Sequence, residues 1–184
     1  MHHKQHPETN LVKALRRSQH DLSAFTPIYE AYVDRIYSYC LYRVNHVADA
    51  EDLTSQIFAR AMVRCETFRG DSVGAWLFRI AYHMTIDHYR AKRTDTLSDE
   101  QLAILHDASQ PSPLESVIRG EEVNRLHNLL KTLDEDKRNL LLLHITGDLT
   151  AREVGDIVGK SSGAVRVEIH RIIQHLKQQA LLQS

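Results

Sequence analysis

The residues best placed to do chemistry lie between Thr150 and Gln174, and the chemistry they offer is recognition of nucleic acid. Thr150, with Glu153 three positions on, has the form of a capping box, in which each side chain satisfies an amide at the start of a helix. Val154, Ile157 and Val158 then mark a short helix that stops at Gly159. Ser161 caps a longer one, whose Val165, Ile169, Ile172 and Leu176 fall on one face. A short helix, a tight glycine-containing turn and a second helix make a helix-turn-helix, whose second helix enters the DNA major groove. The face opposite the apolar stripe carries Gly163, Val167, His170, Arg171 and Gln174, with Ser162 and Arg166 on its flank. Small residues at its start permit close approach. Arg166 and Arg171 can neutralise phosphates or read guanine, and Lys160 in the turn is placed for a phosphate.

Catalysis finds little support in the same residues. The chain has 12 histidines, but they are scattered and no HExxH or Cys/His cluster is present. His83 and His88 miss the i, i+4 spacing of paired helical ligands, and His2, His3 and His6 sit in a polar tail. Cys40 and Cys65 belong to no ligand pattern and read as small packed hydrophobes. No nucleophile–base pair, glycine-rich phosphate loop or paired carboxylate site emerges. The expectation is a protein without enzymatic activity, cofactor or metal.

The net charge of −1 argues against a generic, strongly basic DNA binder, because phosphate neutralisation needs excess Lys and Arg. Segment 94–120 is acidic, with Asp95, Asp99, Glu100, Asp107 and Glu115 against the single base Arg119. Such a chain suits a protein that borrows most of its DNA affinity from a larger partner. No apolar run is long enough to span a membrane and the start lacks a signal-peptide core, so a cytoplasmic location without membrane insertion is expected.

The elements that must position these residues read as helices throughout. Residues 1–21 are polar and histidine-rich, expected as a flexible extension with at most a short helix at 11–17. Phe25, Ile28, Tyr29, Tyr32, Ile36, Tyr39 and Cys40 recur at three- and four-residue spacing and predict a helix over about 22–44. Leu53, Ile57, Phe58, Ala61 and Met62 predict a second from Asp49 to about Cys65. A polar loop follows at Phe68–Asp71, then a third helix over about 72–92, with Trp76 facing the core. Ser109-Gln110-Pro111-Ser112-Pro113 interrupts the acidic linker. Val123, Leu126, Leu130 and Leu133 resume the helical pattern, and Asp134 caps the helix carrying Leu140–Leu143. The fold expected is all-α: two small helical domains, 22–93 and 121–184, joined by a flexible linker over 94–120, the second containing the helix-turn-helix.

Read together, the segments Phe25–Arg93 and Val123–Leu176 resemble the extracytoplasmic-function (ECF) group of sigma-70-type RNA polymerase sigma factors. Asp49-Ala50-Glu51-Asp52-Leu53-Thr54-Ser55-Gln56-Ile57-Phe58 is similar to that family's core-polymerase-binding helix. Phe68-Arg69-Gly70-Asp71-Ser72 with Ala75-Trp76-Leu77-Phe78-Arg79-Ile80-Ala81 resembles its −10 loop and helix, continued by Ile86-Asp87-His88-Tyr89-Arg90. Ala151–Arg171 resembles its −35-reading motif.

The resemblance implies a factor that binds core polymerase through Asp49, Glu51, Asp52, Leu53 and Gln56. Its partners would be the beta-prime coiled coil and the beta subunit, promoter DNA and an anti-sigma factor. It places −10 recognition and opening on Phe68, Arg69, Gly70, Asp71, Ser72, Arg79, Tyr82, His83, Arg90, Lys92 and Arg93. It places −35 reading on Lys160, Ser162, Gly163, Arg166, Val167, His170 and Arg171. Alternatives are a stand-alone helix-turn-helix regulator and a degenerate sigma-like factor that sequesters a partner. Three departures from the family pattern stand out: Ser55-Gln56 for Gln-Glu, Val167-Glu168 for a small polar residue and a base, and Ile172-Ile173 for Ala-Arg. Glu168 repels phosphate but can accept from cytosine N4 or pair with Arg171 or Lys160.

Overall fold

The computed structural model describes residues 8–96 and 128–182, and all regular structure among them is helical. Helix α1 spans Glu8–Arg17, where the polar composition predicted a flexible extension. Leu11 and Leu15, one turn apart, are both buried, and this one apolar stripe docks the helix while its polar faces stay wet. Helix α2, Thr26–Val44, accommodates Pro27 in its first turn, where a missing N–H is harmless. It ends at Asn45, whose left-handed backbone (φ 54°) lets its N–H reach back to the Leu41 carbonyl. Helix α3, Val47–Arg64, begins two residues earlier than Asp49 because the His46 ring accepts a hydrogen bond from the Asp49 amide. Helix α4, Val73–Thr96, follows the loop and runs past its expected end.

These helices enclose one core. Ile28, Ile36, Tyr39 and Cys40 of α2 meet Ile57 and Phe58 of α3 and Leu77 and Phe78 of α4, with Tyr39 and Phe78 edge to face at 5.7 Å. Each such side chain, fully buried, stabilises by about 1.5–3 kcal/mol relative to exposure. Burial pushes the Cys40 thiol up to about 12, so both cysteines, buried and unbridged, act as packing residues.

The C-terminal half begins, within the described residues, with a helical stretch at 128–131 that contributes Leu130 to the core. Helix α5, Glu135–Ile145, is capped by Asp134, whose carboxylate accepts from the Lys137 amide at 2.9 Å. Helix α6, Ala151–Val158, has the full capping box: the Thr150 amide donates to Glu153 at 2.8 Å and the Glu153 amide to Thr150 Oγ1 at 3.3 Å. Helix α7 covers Ser162–Leu182. The two halves also touch, α5 on α2 and α6 on α4. The acidic linker expected over 94–120, together with Val123 and Leu126, falls largely outside the described residues.

Candidate nucleic-acid interface

The helix-turn-helix is built as its sequence predicts. Gly159 closes α6 in the left-handed conformation (φ 75°), and the amides of Gly159 and Lys160 both donate to the Gly155 carbonyl, at 2.8 and 3.0 Å. Gly155 was not singled out by the sequence reading. A Cβ there would stand 2.4 Å from the Lys160 carbonyl oxygen, so the turn can fold this tightly only over a glycine. Ser161 Oγ accepts from the Ala164 amide at 3.2 Å and starts α7. Val165, Ile169 and Ile172 point into the core, while Gly163, Arg166, Val167, His170 and Arg171 are exposed together and Ser162 is half-buried beside them.

One departure from the family pattern acquires a partner. Lys160 Nζ lies 2.9 Å from Glu168 Oε2, so the turn's cation is tied to the recognition helix's own carboxylate. At 37% and 29% side-chain exposure the pair is partly wet and worth little in stability, but it neutralises a charge suited to phosphate.

The residues expected to contact the −10 strand are brought to one side of α4 and the loop before it. Arg69, Gly70, Asp71, Arg79, His83 and Arg90 are exposed and Tyr82 is half-buried. Arg69 curls over the loop, donating to the carbonyls of Glu66 and Phe68. Ser72 caps α4 by accepting from the Ala75 amide at 3.1 Å. Phe68, expected to stack on bases, is buried instead, edge to face with Trp76 at 5.8 Å. Half-buried Trp76 is the more accessible of the two. Lys92 and Arg93 have side chains outside the described residues.

On α3, Glu51, Asp52, Ser55 and Gln56 lie exposed, with Ala59 and Val63 extending the same side and Val63 fully 83% accessible. Leu53, which the resemblance places among the core-binding residues, is buried, in line with its place in the apolar stripe beside Ile57 and Phe58. Asp49 is turned between two histidines, 3.3 Å from His46 Nδ1 and 3.5 Å from His88 Nε2.

Sequence reasoning missed the contacts between the two halves. Arg35 of α2 donates Nε to the Thr146 carbonyl at 3.0 Å and Nη2 to the Gly147 carbonyl, at the end of α5 where carbonyls lack helical partners. Its guanidinium rests 4.9 Å from the Tyr32 ring centroid. Arg43, wholly buried, pairs with Glu135 at 2.9 Å and packs over Tyr89, leaving Nε and Nη1 without a partner among the described residues. Arg43 continues the Ile36–Tyr39–Cys40 spacing, the one signal that marked it as inward-facing. Arg79 donates to the Asp156 carbonyl at 3.3 Å, so one −10 candidate is engaged by α6. Glu153 is subject to burial, which raises its pKa, but hydrogen bonds from the Thr150 side chain, Ser72 and the Thr150 amide outweigh that and hold it below the usual carboxylate range. The helix-turn-helix thus sits against the loop end of α4, with its own reading face open to solvent.

Comparison with known proteins identifies the two halves. Sigma-70 region 2 matches residues 28–94 and Sigma-70, region 4 matches residues 124–176. ECF RNA polymerase sigma factor SigW of Bacillus subtilis is 29% identical over 91% of this chain and 94% of its own length. ShbA of Streptomyces griseus, also an ECF RNA polymerase sigma factor, is 32% identical over 76% of this chain and 78% of its own. BldN of Streptomyces coelicolor is 31% identical, and the chain spans 64% of that protein. Among solved structures, CnrH in complex with the cytosolic domain of CnrY superposes with a TM-score of 0.71 at 20% identity, over 96% of this chain and 99% of that one, a likeness of fold.

Proposed function

The chain belongs to the ECF group of sigma-70-type RNA polymerase sigma factors, and from that premise we propose how its surfaces divide the work of transcription initiation. The exposed side of α3, with Glu51, Asp52 and Gln56, binds core polymerase at the beta-prime coiled coil, and the beta subunit completes the contact. Exposed Glu51 and Asp52 near the start of α3 suit a basic partner, and exposed Val63 near its end offers an apolar contact. The loop Arg69–Ser72 and the α4 face bearing Arg79, Tyr82, His83 and Arg90 bind the −10 element and hold its opened strand. Exposed cations track the phosphates, while ring edges and backbone groups meet a base. Helix α7 docks in the −35 major groove through Ser162, Gly163, Arg166, Val167, His170 and Arg171.

The observation that carries this reading is the exposed first two turns of α7, projected from a capped, glycine-tight helix-turn-helix. Phosphodiester chemistry belongs to the polymerase, and the factor itself is no enzyme. No described helix is long and apolar enough to cross a membrane, which accords with action in the cytoplasm beside the chromosome. An anti-sigma factor is a further partner, by analogy with the sigma–anti-sigma complex of RpoE and NepR from Bartonella quintana.

Reconstitution with sigma-free core polymerase and genomic DNA fragments tests the proposal. Mapped transcript starts should share two spaced upstream elements. Core binding without initiation would point to a sequestering factor, and DNA binding without core binding to a stand-alone regulator.

A further inference from the structure

The N-terminal segment clamps both feet of the −10 loop. Glu8, the first residue of α1, accepts a hydrogen bond from the Val73 amide, the first residue of α4, across 65 positions of chain. Its other carboxylate oxygen accepts from the Tyr32 hydroxyl of α2 at 3.1 Å. Gln19, just beyond α1, donates from its side-chain amide to the Cys65 carbonyl at 3.3 Å, where α3 gives way to the loop. Leu11 and Leu15 fasten the helix between these two contacts.

We propose that α1 is part of the −10 machinery, with Glu8 a positioning residue that sets where the Arg69–Ser72 loop is held relative to α4. This rests on the −10 reading above. Ser72 already caps α4 through the Ala75 amide, so the helix start has a local partner of the ordinary kind. The Val73 amide is taken by a carboxylate from another element, which fixes the backbone at the hinge between loop and helix. The next residue is similarly confined: a Cβ on Gly74 would lie 3.0 Å from the Tyr32 hydroxyl that Glu8 also holds. The contact thus locks three elements at one point, the loop foot, α2 and α1. A pocket that captures an unstacked base depends on such pre-positioning, because sub-ångström displacement of its supports weakens capture.

The test uses full-length chain assembled with core polymerase. Its probe is a single-stranded oligonucleotide from the non-template −10 region of a promoter found by the start mapping above. Glu8→Ala should weaken binding of this strand and slow promoter opening by roughly fivefold, the effect of one net hydrogen bond, while core affinity stays as in wild type. Glu8→Gln keeps an acceptor for the Val73 amide and should restore strand binding. Gln19→Ala, which loosens the other foot and leaves α4 capped, should show a smaller loss in the same direction. Wild-type strand binding in both Glu8→Ala and Gln19→Ala would overturn the proposal, as would failure of Glu8→Gln to rescue at unchanged thermal stability. If Glu8→Ala fails to fold, Gln19→Ala decides it: slowed opening in that soluble variant supports the proposal and a wild-type opening rate overturns it. Failure of the −10 reading itself shows separately: wild-type holoenzyme would then bind the strand no better than a scrambled one.

Discussion

Removing Arg35 should open the molecule. Its guanidinium makes two hydrogen bonds to carbonyls at the end of α5, one at 3.0 Å, and both are lost when the halves separate. Its stacking over Tyr32 and Phe78 joins residues of the same half, so that contact survives opening and drops out of the comparison. Hydrogen bonds from a charged donor contribute about 1.5–3 kcal/mol each. These are only part-buried and the freed carbonyls regain water, so about 2 kcal/mol for the pair is a fair total. At about 1.4 kcal/mol per tenfold, Arg35→Ala should raise the open-to-closed ratio roughly thirtyfold. Dyes on cysteines introduced at exposed Ser55 and Gln174 would report the distance between halves by energy transfer. The native thiols are buried, and Cys40 is pushed up to about 12, so they should resist labelling. Arg35→Lys, which can replace only part of the fork, should fall between. A transfer distribution identical in wild type and Arg35→Ala would refute the reasoning, since the closed arrangement would then owe nothing to this contact.

Other expectations follow from the same geometry. Glu168→Gln should release Lys160 for a phosphate, steepening the salt dependence of −35 binding by about one unit of slope in a log–log titration, and Lys160→Ala in that background should reverse it. Gly155→Ala forces a Cβ against the Lys160 carbonyl and should destabilise the C-terminal half by more than about 2 kcal/mol, read as a lowered Tm. Glu153 is held below the usual carboxylate range, so its contribution to stability is full above the ordinary glutamate range and is lost as pH falls through its lower folded value. Acid titration should therefore show a limb that flattens in Glu153→Gln; an unchanged limb would assign it to other carboxylates.

Much of the architecture was legible in the chain itself. Helical periodicity located α2 to α4, and the turn chemistry of Thr150, Glu153 and Gly159 drew the helix-turn-helix almost to the residue. These are local determinants: capping, glycine conformation and one apolar stripe act within a few residues of themselves. For the same reason the exposed face of α7, with Arg166, His170 and Arg171, followed from the stripe opposite it.

What only the tertiary structure decided depends on residues distant in sequence. Nothing around Glu8 announces that its carboxylate will meet Val73 and Tyr32, and α1 is held by two leucines in a polar stretch that reads as a tail. Phe68 reads as a candidate for stacking on bases yet lies buried, because what a loop residue meets depends on what packs against it. The sequence leaves Glu168 a choice among cytosine, Arg171 and Lys160, and the folded turn selects Lys160. Nothing in the sequence marks Arg35 as a contact to the end of α5, or Arg79, read as a −10 residue, as a donor to the backbone of α6. Local order is written in neighbouring residues, whereas the meeting of two halves is set by the shape and unpaired polar groups each presents once folded.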